Sequence, residues 1–262
     1  MNTADEWFIL TRFEEEEGIR TMTEMAEGVY FVPGQDEFIP DSHLYVIGLP
    51  DSQDVSIIDA GLMGKGDYKL RAIEELGINL DNVHRIIMTH THLDHIGCLA
   101  EIRARIPHAE LWVHRLEAEP LEQGDDRTVY GMEMFRSMCQ AQYALQPGQF
   151  TFTVDRKLED GETLAIGGMT WEVLHIPGHS AGSIGLYQRT GKILIPGDVV
   201  YADSAIGRFD LHGADAAAHK ASLMRLGELE VEILLPGHNR VVKDVQAGYI
   251  RETARQWAPY LS

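Results

Sequence analysis

Six consecutive residues, His90-Thr91-His92-Leu93-Asp94-His95, carry four side chains able to hold a metal ion. They follow directly on the apolar run Arg85-Ile86-Ile87-Met88. In an extended segment, residues two apart point the same way, so His90 and His92 reach one ion together. Asp94 and His95 open the next helix and turn towards a different point, near enough to serve a second ion. Imidazole and carboxylate suit Zn²⁺, Fe or Mn. Three more candidate ligands stand at strand ends: His179 after Ile176-Pro177-Gly178, Asp198 after Ile195-Pro196-Gly197, and His238 after Leu235-Pro236-Gly237. Proline and glycine stop a strand and turn the backbone, which leaves the next side chain at the sheet rim.

The elements that must position these groups are legible as two similar halves. Short β-branched runs at 29–33, 44–49 and 55–59 read as strands. Residues 68–76 have helical spacing, with Gly77 suited to end them. A strand at 85–88 leads into the ligand run, after which Ile96, Leu99, Ile102 and Ile106 continue at helical spacing until Pro107. The second half predicts strands at 169–176, 183–188, 192–196 and 231–235, a helix at 214–227 and a final helix from 245. Strands followed by helices, twice over, predict two sheets packed face to face with helices outside. Residues 116–150 read as a helical insertion rich in Met, Tyr and Gln. No repeat or linker interrupts the chain, so one domain over 1–262 is expected.

Composition narrows the partners. With 22 basic and 41 acidic residues the formal charge is −19, a field that repels phosphate backbones and disfavours nucleic acid. The acidic run Glu14-Glu15-Glu16-Glu17 reads as a solvated segment. No stretch approaches the roughly 20 apolar residues that span a bilayer, and the acidic start Met1-Asn2-Thr3-Ala4-Asp5-Glu6 is not a secretory signal. Cys98 and Cys139 cannot make a disulfide framework in a chain of this size, so the cytoplasm is the expected compartment. Cys98 reads as a small buried residue. His43, His84, His108, His114, His175, His212 and His219 fall in no ligand pattern and read as surface or packing residues.

The ordered set Asp59, His90-x-His92-x-Asp94-His95, His179, Asp198 and His238 resembles the metallo-β-lactamase superfamily, from about Gly28 onward. The resemblance implies an α/β, four-layer αββα sandwich with its site along one edge of the sheets. It also implies two divalent metal ions, Zn with Fe or Mn as alternatives. His90, His92 and His179 would hold the first, Asp94, His95 and His238 the second, and Asp198 would bridge both. Asp59 would orient a ligand histidine from behind. The aspartate at 198, with the segments 177–183 and 197–201, looks like the glyoxalase II and lactonase side of the family. Asn239 departs from the more usual glycine, a change that a left-handed backbone tolerates. The tail after His238 is too short for the helical domain that glyoxalase II uses to hold glutathione. That leaves the 116–150 insertion as the expected pocket wall, with Tyr130, Phe135 and Tyr143 as substrate contacts beside Met132 and Met134. Core packing is the competing reading for each. Arg208 and Asp210 are expected to pin the loop after Asp198.

The expected reaction is hydrolysis of an ester, thioester or lactone in a small-molecule substrate. Two metals would lower the pKa of a bridging water to near neutrality and give a hydroxide nucleophile, oriented by Asp94 and Asp198. No serine or cysteine nucleophile is then required. A mononuclear non-haem iron dioxygenase of the persulfide dioxygenase type is the alternative, since its ligands are a subset of these. Flavodiiron enzymes typically carry glutamate where this chain has His92. An RNA-processing nuclease is disfavoured by the charge. No membrane partner is implied, and self-association is left open.

Overall fold

The computed structural model describes residues 22–35 and 39–262; the Glu14–Glu17 run lies outside the described residues. One sheet has the strand order β1 (Thr23–Ala26), β2 (Val29–Val32), β3 (Leu44–Ile47), β4 (Val55–Ile58), β5 (Val83–Ile87), β6 (Glu110–His114) and β7 (Arg156–Leu158). It is antiparallel as far as β4 and parallel from β4 to β7. The other sheet runs β8 (Thr163–Ile166), β9 (Met169–His175), β10 (Ile184–Gln188), β11 (Ile193–Gly197), β12 (Ile233–Pro236) and β13 (Val242–Lys243). Only its β11–β12 pair is parallel.

Alternation along the strands builds the layers. Ile58, Ile87 and Trp112 face the second sheet and meet Trp171, Leu186 and Ile195 between the sheets. Their neighbours Ile57, Ile86 and Leu111 face the other way, towards α1 (Gly66–Glu75), α3 (Leu99–Arg105) and α4 (Arg115–Gln123). On the far side, Leu174, Tyr187 and Leu194 meet α7 (Ala216–Leu226) and α8 (Tyr249–Trp257). The order is therefore helix, sheet, sheet, helix, as the strand–helix alternation predicts. Strands buried on both faces must read as continuous apolar runs, which is why β3 and β11 stand out in the sequence.

Five strands escape the sequence reading. Thr23–Ala26, Glu110–His114, Arg156–Leu158, Thr163–Ile166 and Val242–Lys243 carry polar residues on their outward positions or hold too few apolar ones, and only pairing with a neighbour defines them. The helix expected through Ile96 and Ile106 is broken into α2 (Leu93–Ile96) and α3. A continuous helix would bond the amide of Cys98 to the carbonyl of Asp94. Here Cys98 N donates to Gly61 O (2.8 Å) and Asp94 O accepts from Ser42 N (3.2 Å). Both groups are diverted to loops that hold the α2 turn in place. The 116–150 region forms α4, α5 (Arg127–Tyr130) and α6 (Glu133–Tyr143).

The loop ahead of β3 is fastened by a fully buried ion pair. Lys69 Nζ on α1 donates to Asp41 Oδ1 (2.8 Å) and to Ser42 O (2.7 Å), and Asp41 also accepts the amides of Leu62 and Gln35. The next residue, His43, donates its amide to Gly237 O (2.8 Å). Removing one member of a buried pair leaves the other uncompensated and costs about 3–5 kcal/mol. Lys69→Met is therefore expected to lower the unfolding free energy by about that amount in urea titrations. A loss below about 1 kcal/mol, the range of an exposed pair, would show that the pair carries little of the loop's order.

Candidate metal centre

β5 delivers Met88 and Thr89 to the rim, and His90 follows without a break. His92 caps the start of α2 in extended conformation (φ −64°, ψ 154°), so Asp94 and His95 fall in the first turn. β9 ends at His175, ahead of Pro177-Gly178 and His179; β11 ends at Pro196-Gly197 and presents Asp198, while β12 leads to His238. Gly197 takes a left-handed φ of 53°. Gly237 is required for a different reason: a Cβ there would lie 2.1 Å from Asp198 Oδ1 and 2.7 Å from His95 Cε1. The departure at Asn239 is accommodated as expected, at φ 64°.

The seven candidate ligands form two groups, in each of which the ligand atoms lie within 4.8 Å of one another. His90, His92 and His179 make the first, with ring centroids 4.5 to 4.8 Å apart and His92 Nδ1 2.8 Å from His179 Nε2. Asp94, His95, Asp198 and His238 make the second. His238 Nε2 is 2.9 Å from Asp94 Oδ2 and 3.5 Å from Asp198 Oδ2. Asp198 stands between the groups, with Oδ1 3.3 Å from His95 Nε2 and Oδ2 3.7 Å from His179 Nε2. Asp59, itself at φ 61°, accepts from His95 Nδ1 (2.9 Å) and from the Thr89 hydroxyl (2.8 Å). That hydroxyl lies 3.1 Å from His90 Nδ1. Asp59 thus orients one histidine directly and another through Thr89.

The donor chemistry fits cations. His90 Nε2, His92 Nε2, His95 Nε2 and Asp198 Oδ1 are buried without any hydrogen-bond partner. Buried polar atoms are satisfied in the great majority of cases, and four orphans, two in each group, are donors that bound divalent ions would complete.

The two groups differ in charge. Burial, reinforced by neighbouring histidines, holds His90 well below its ordinary value and His92 at about 3; burial also lowers His179. The first group is neutral at pH 7. Burial would also lower His95 and His238, but Asp198 with Asp59 raises the first and Asp198 with Asp94 raises the second. Burial works against ionisation of Asp94 too, yet the His238 hydrogen bond brings it to about 2; His238 and His95 likewise keep Asp198 ionised.

Both groups open into a cavity of about 1820 Å³ among the described residues. His92, Asp94, His179, Asp198 and His238 reach its wall, while His90 and His95 are fully buried behind it. Tyr130 and Phe135 line the cavity with Met132, as expected of the insertion. Tyr143 does not line it; its ring packs half-buried against the core, because α6 turns its end away from the opening. Met134 is 79% exposed, on the outer face of the same helix. Arg208 and Asp210 form a two-bonded ion pair, and Arg208 O accepts from His179 Nδ1. His43, read from sequence as surface or packing, is buried on the cavity wall. It accepts from Gly34 N and donates through Nε2 to Asn239 O (2.6 Å), and burial holds it neutral at about 4. Glu117 was not found from sequence; it belongs to no motif, and only the tertiary fold brings it to the site. Tyr201, which ends the 197–201 segment, lines the cavity.

The sequence model of the metallo-beta-lactamase superfamily matches residues 40–238. The chain belongs to this superfamily. It is 32% identical to the hydroxyacylglutathione hydrolase GloC of Haemophilus influenzae over 63% of this chain and 69% of that one. It is also 32% identical to the acyl-coenzyme A thioesterase MBLAC2 of Gallus gallus over 80% and 71%. A solved structure of TTHA1623 in a di-iron-bound form superposes with a TM-score of 0.63 at 27% identity, covering 84% of this chain and 97% of that one. The superfamily assignment makes the chain a metallo-hydrolase relative with histidine and aspartate groups suited to divalent metal. Among the described residues no helix is long and apolar enough to cross a membrane.

The charge contrast generates an expectation about metal uptake. A histidine whose pKa is raised keeps its proton to higher pH and must lose it before its nitrogen can bind a cation. His95 and His238 are such groups; His90, His92 and His179 are not. Titrating metal-free protein with Zn²⁺ in buffers of different ionisation enthalpy should show little proton release for the equivalent filling the histidine triad. The equivalent filling the Asp94 group should release more protons than the first and bind more tightly as pH rises. Equal release for both would contradict the charge assignment.

Proposed function

We propose that this protein is a dinuclear, metal-dependent hydrolase of thioester bonds in small molecules. The observation that carries the reading is the pair of adjacent donor groups, with Asp198 of the second reaching towards His179 of the first, at one cavity. Hydroxyacylglutathione and acyl-coenzyme A, named in the two relatives, are both thioesters, which favours that bond over an oxygen ester or lactone. His90, His92 and His179 would hold one ion and Asp94, His95 and His238 the other, with Asp198 touching both. Zn²⁺ suits the nitrogen-rich first group, and iron is the alternative that the di-iron relative supports. The complete second group argues against a mononuclear dioxygenase.

Bound there, divalent ions supply Lewis acidity and bring the pKa of a coordinated water to about 7. The chain supplies the rest. Asp94 and Asp198, both ionised at working pH, orient the attacking water through their carboxylate oxygens. Val129, Tyr130, Met132, Phe135 and Met138 offer an apolar wall for the acyl portion. Burial pushes the Cys98 and Cys139 thiols up to about 12 and 11, so neither supplies a thiolate nucleophile at neutral pH. The two buried, free cysteines also fit a reducing cytoplasm.

The test compares S-acylglutathione and acyl-coenzyme A thioesters with matched oxygen esters and a lactone. Thioester kcat/KM should exceed the others by at least about tenfold, a difference of about 1.4 kcal/mol. Chelation should abolish turnover and added Zn²⁺ restore it. His92→Ala and Asp198→Ala should reduce turnover to background while circular dichroism is unchanged, because rim ligands contribute little to the core. Phe135→Ala should raise KM for long acyl chains about tenfold with kcat nearly unchanged, as expected for lost uniform binding. Retained activity in Asp198→Ala, or faster cleavage of the oxygen ester, would overturn the reading.

A further inference from the structure

Glu117 is a buried carboxylate, 1% exposed, with no ion-pair partner among the described residues. It sits in the first turn of α4, at the start of the insertion. Its Oε2 accepts from Thr91 N (3.3 Å) and, in a short contact, from the Thr91 hydroxyl. Its Oε1 accepts from the Ser180 hydroxyl (2.6 Å) and from Gly182 N (2.9 Å). Thr91 is the residue between His90 and His92, and Ser180 is the residue after His179. One side chain therefore joins the two segments that supply all three members of the first ligand group.

A second observation shows that the fit is built rather than incidental. A Cβ at Gly182 would lie 2.5 Å from Glu117 Cγ and 3.0 Å from both Glu117 N and His114 Nδ1. Any side chain there would push the glutamate out of its seat. Ser180 is further fixed by Ser183, whose hydroxyl accepts from Ser180 N (3.1 Å) and lies 2.7 Å from Ser180 Oγ. A buried carboxylate facing four donors is a stiff connector, because breaking any one bond leaves a polar group unsatisfied in the interior.

We propose that Glu117 is the positioning residue of the first metal group: by tying Thr91 to Ser180 and Gly182, it sets the separation of the His90–His92 loop from the His179 loop and so fixes the affinity of that group for its ion. The proposal rests on reading the first group as a metal site, but not on the identity of the substrate. Glu117 touches neither substrate nor ion; it acts through the two loops. Its role parallels that of Asp59 behind His95, with the difference that Glu117 contacts loop residues and no ligand ring.

The test uses the full-length, metal-free protein and Zn²⁺ or Co²⁺ alone, with chelator competition, the visible absorption of bound Co²⁺ and thermal melting read together. Glu117→Gln should weaken one of the two ions by about 10- to 100-fold, as for other groups that orient metal ligands, and alter the Co²⁺ band of that ion. Glu117→Asp should restore part of the affinity by keeping the charge. Thr91→Val and Ser180→Ala, each deleting one hydroxyl, should give smaller losses at the same ion and decide the matter if Glu117→Gln does not fold. Wild-type affinity and an unchanged Co²⁺ spectrum in Thr91→Val and Ser180→Ala would overturn the proposal, as would a lowered melting temperature of Glu117→Gln with metal affinity intact. Absence of thioesterase activity in the wild type would leave these outcomes unaffected, since none of them reads turnover.

Discussion

Asp198 projects from the end of β11 with one oxygen towards His95 and the other towards His179 and His238. Placing an ionised carboxylate in a buried cluster is costly unless positive charge surrounds it, and everything around this aspartate is arranged to bring that charge close. His95 and His238, whose pKa values it helps to raise, stand on one side. On the other stand three imidazoles lowered by burial, of which His90 and His92 leave Nε2 with nothing to bond. An anion flanked by unsatisfied donors is stable in a folded protein when cations complete the cluster, and the chemistry proposed above follows from that requirement.

The scaffold meets it by bringing both sheets to one rim. Ile184 N of β10 donates to Thr89 O after β5 (2.9 Å), and the Tyr45 hydroxyl of β3 reaches Pro236 O at the end of β12 (2.5 Å). These contacts cross between the sheets beside the ligands. Behind the rim stand three buried carboxylates, each serving a different loop: Asp59 orients His95, Asp41 holds the segment that bonds Asp94 and Gly237 through their carbonyls, and Glu117 joins the loops of the histidine triad. Much of the interior polar chemistry of this fold is therefore spent on positioning.

The ligand run from His90 to His95 was legible because four ligand-type residues in six positions have no packing explanation, and the three strand–Pro–Gly endings were legible because they repeat. The double-faced strands β3 and β11 announced the sandwich. Glu117 and the Lys69–Asp41 pair left no such trace, since a lone glutamate on an amphipathic helix and a lone lysine look like any solvated residue until the fold buries them. The break between α2 and α3 was hidden for the same reason: Ile96, Leu99, Ile102 and Ile106 all face the core on either side of it, so the periodicity survives while the hydrogen bonds do not. Tyr143 was misplaced because spacing alone does not say where α6 leaves the cavity edge.

The central claim is that Asp198 stands between two bound ions. Anomalous diffraction from a crystal grown with Zn²⁺, collected above and below the zinc edge, tests it most directly. The account predicts two peaks, one enclosed by His90, His92 and His179 and the other by Asp94, His95 and His238, with the Asp198 carboxylate between them. A single peak, or two peaks with Asp198 turned away from either, would contradict it.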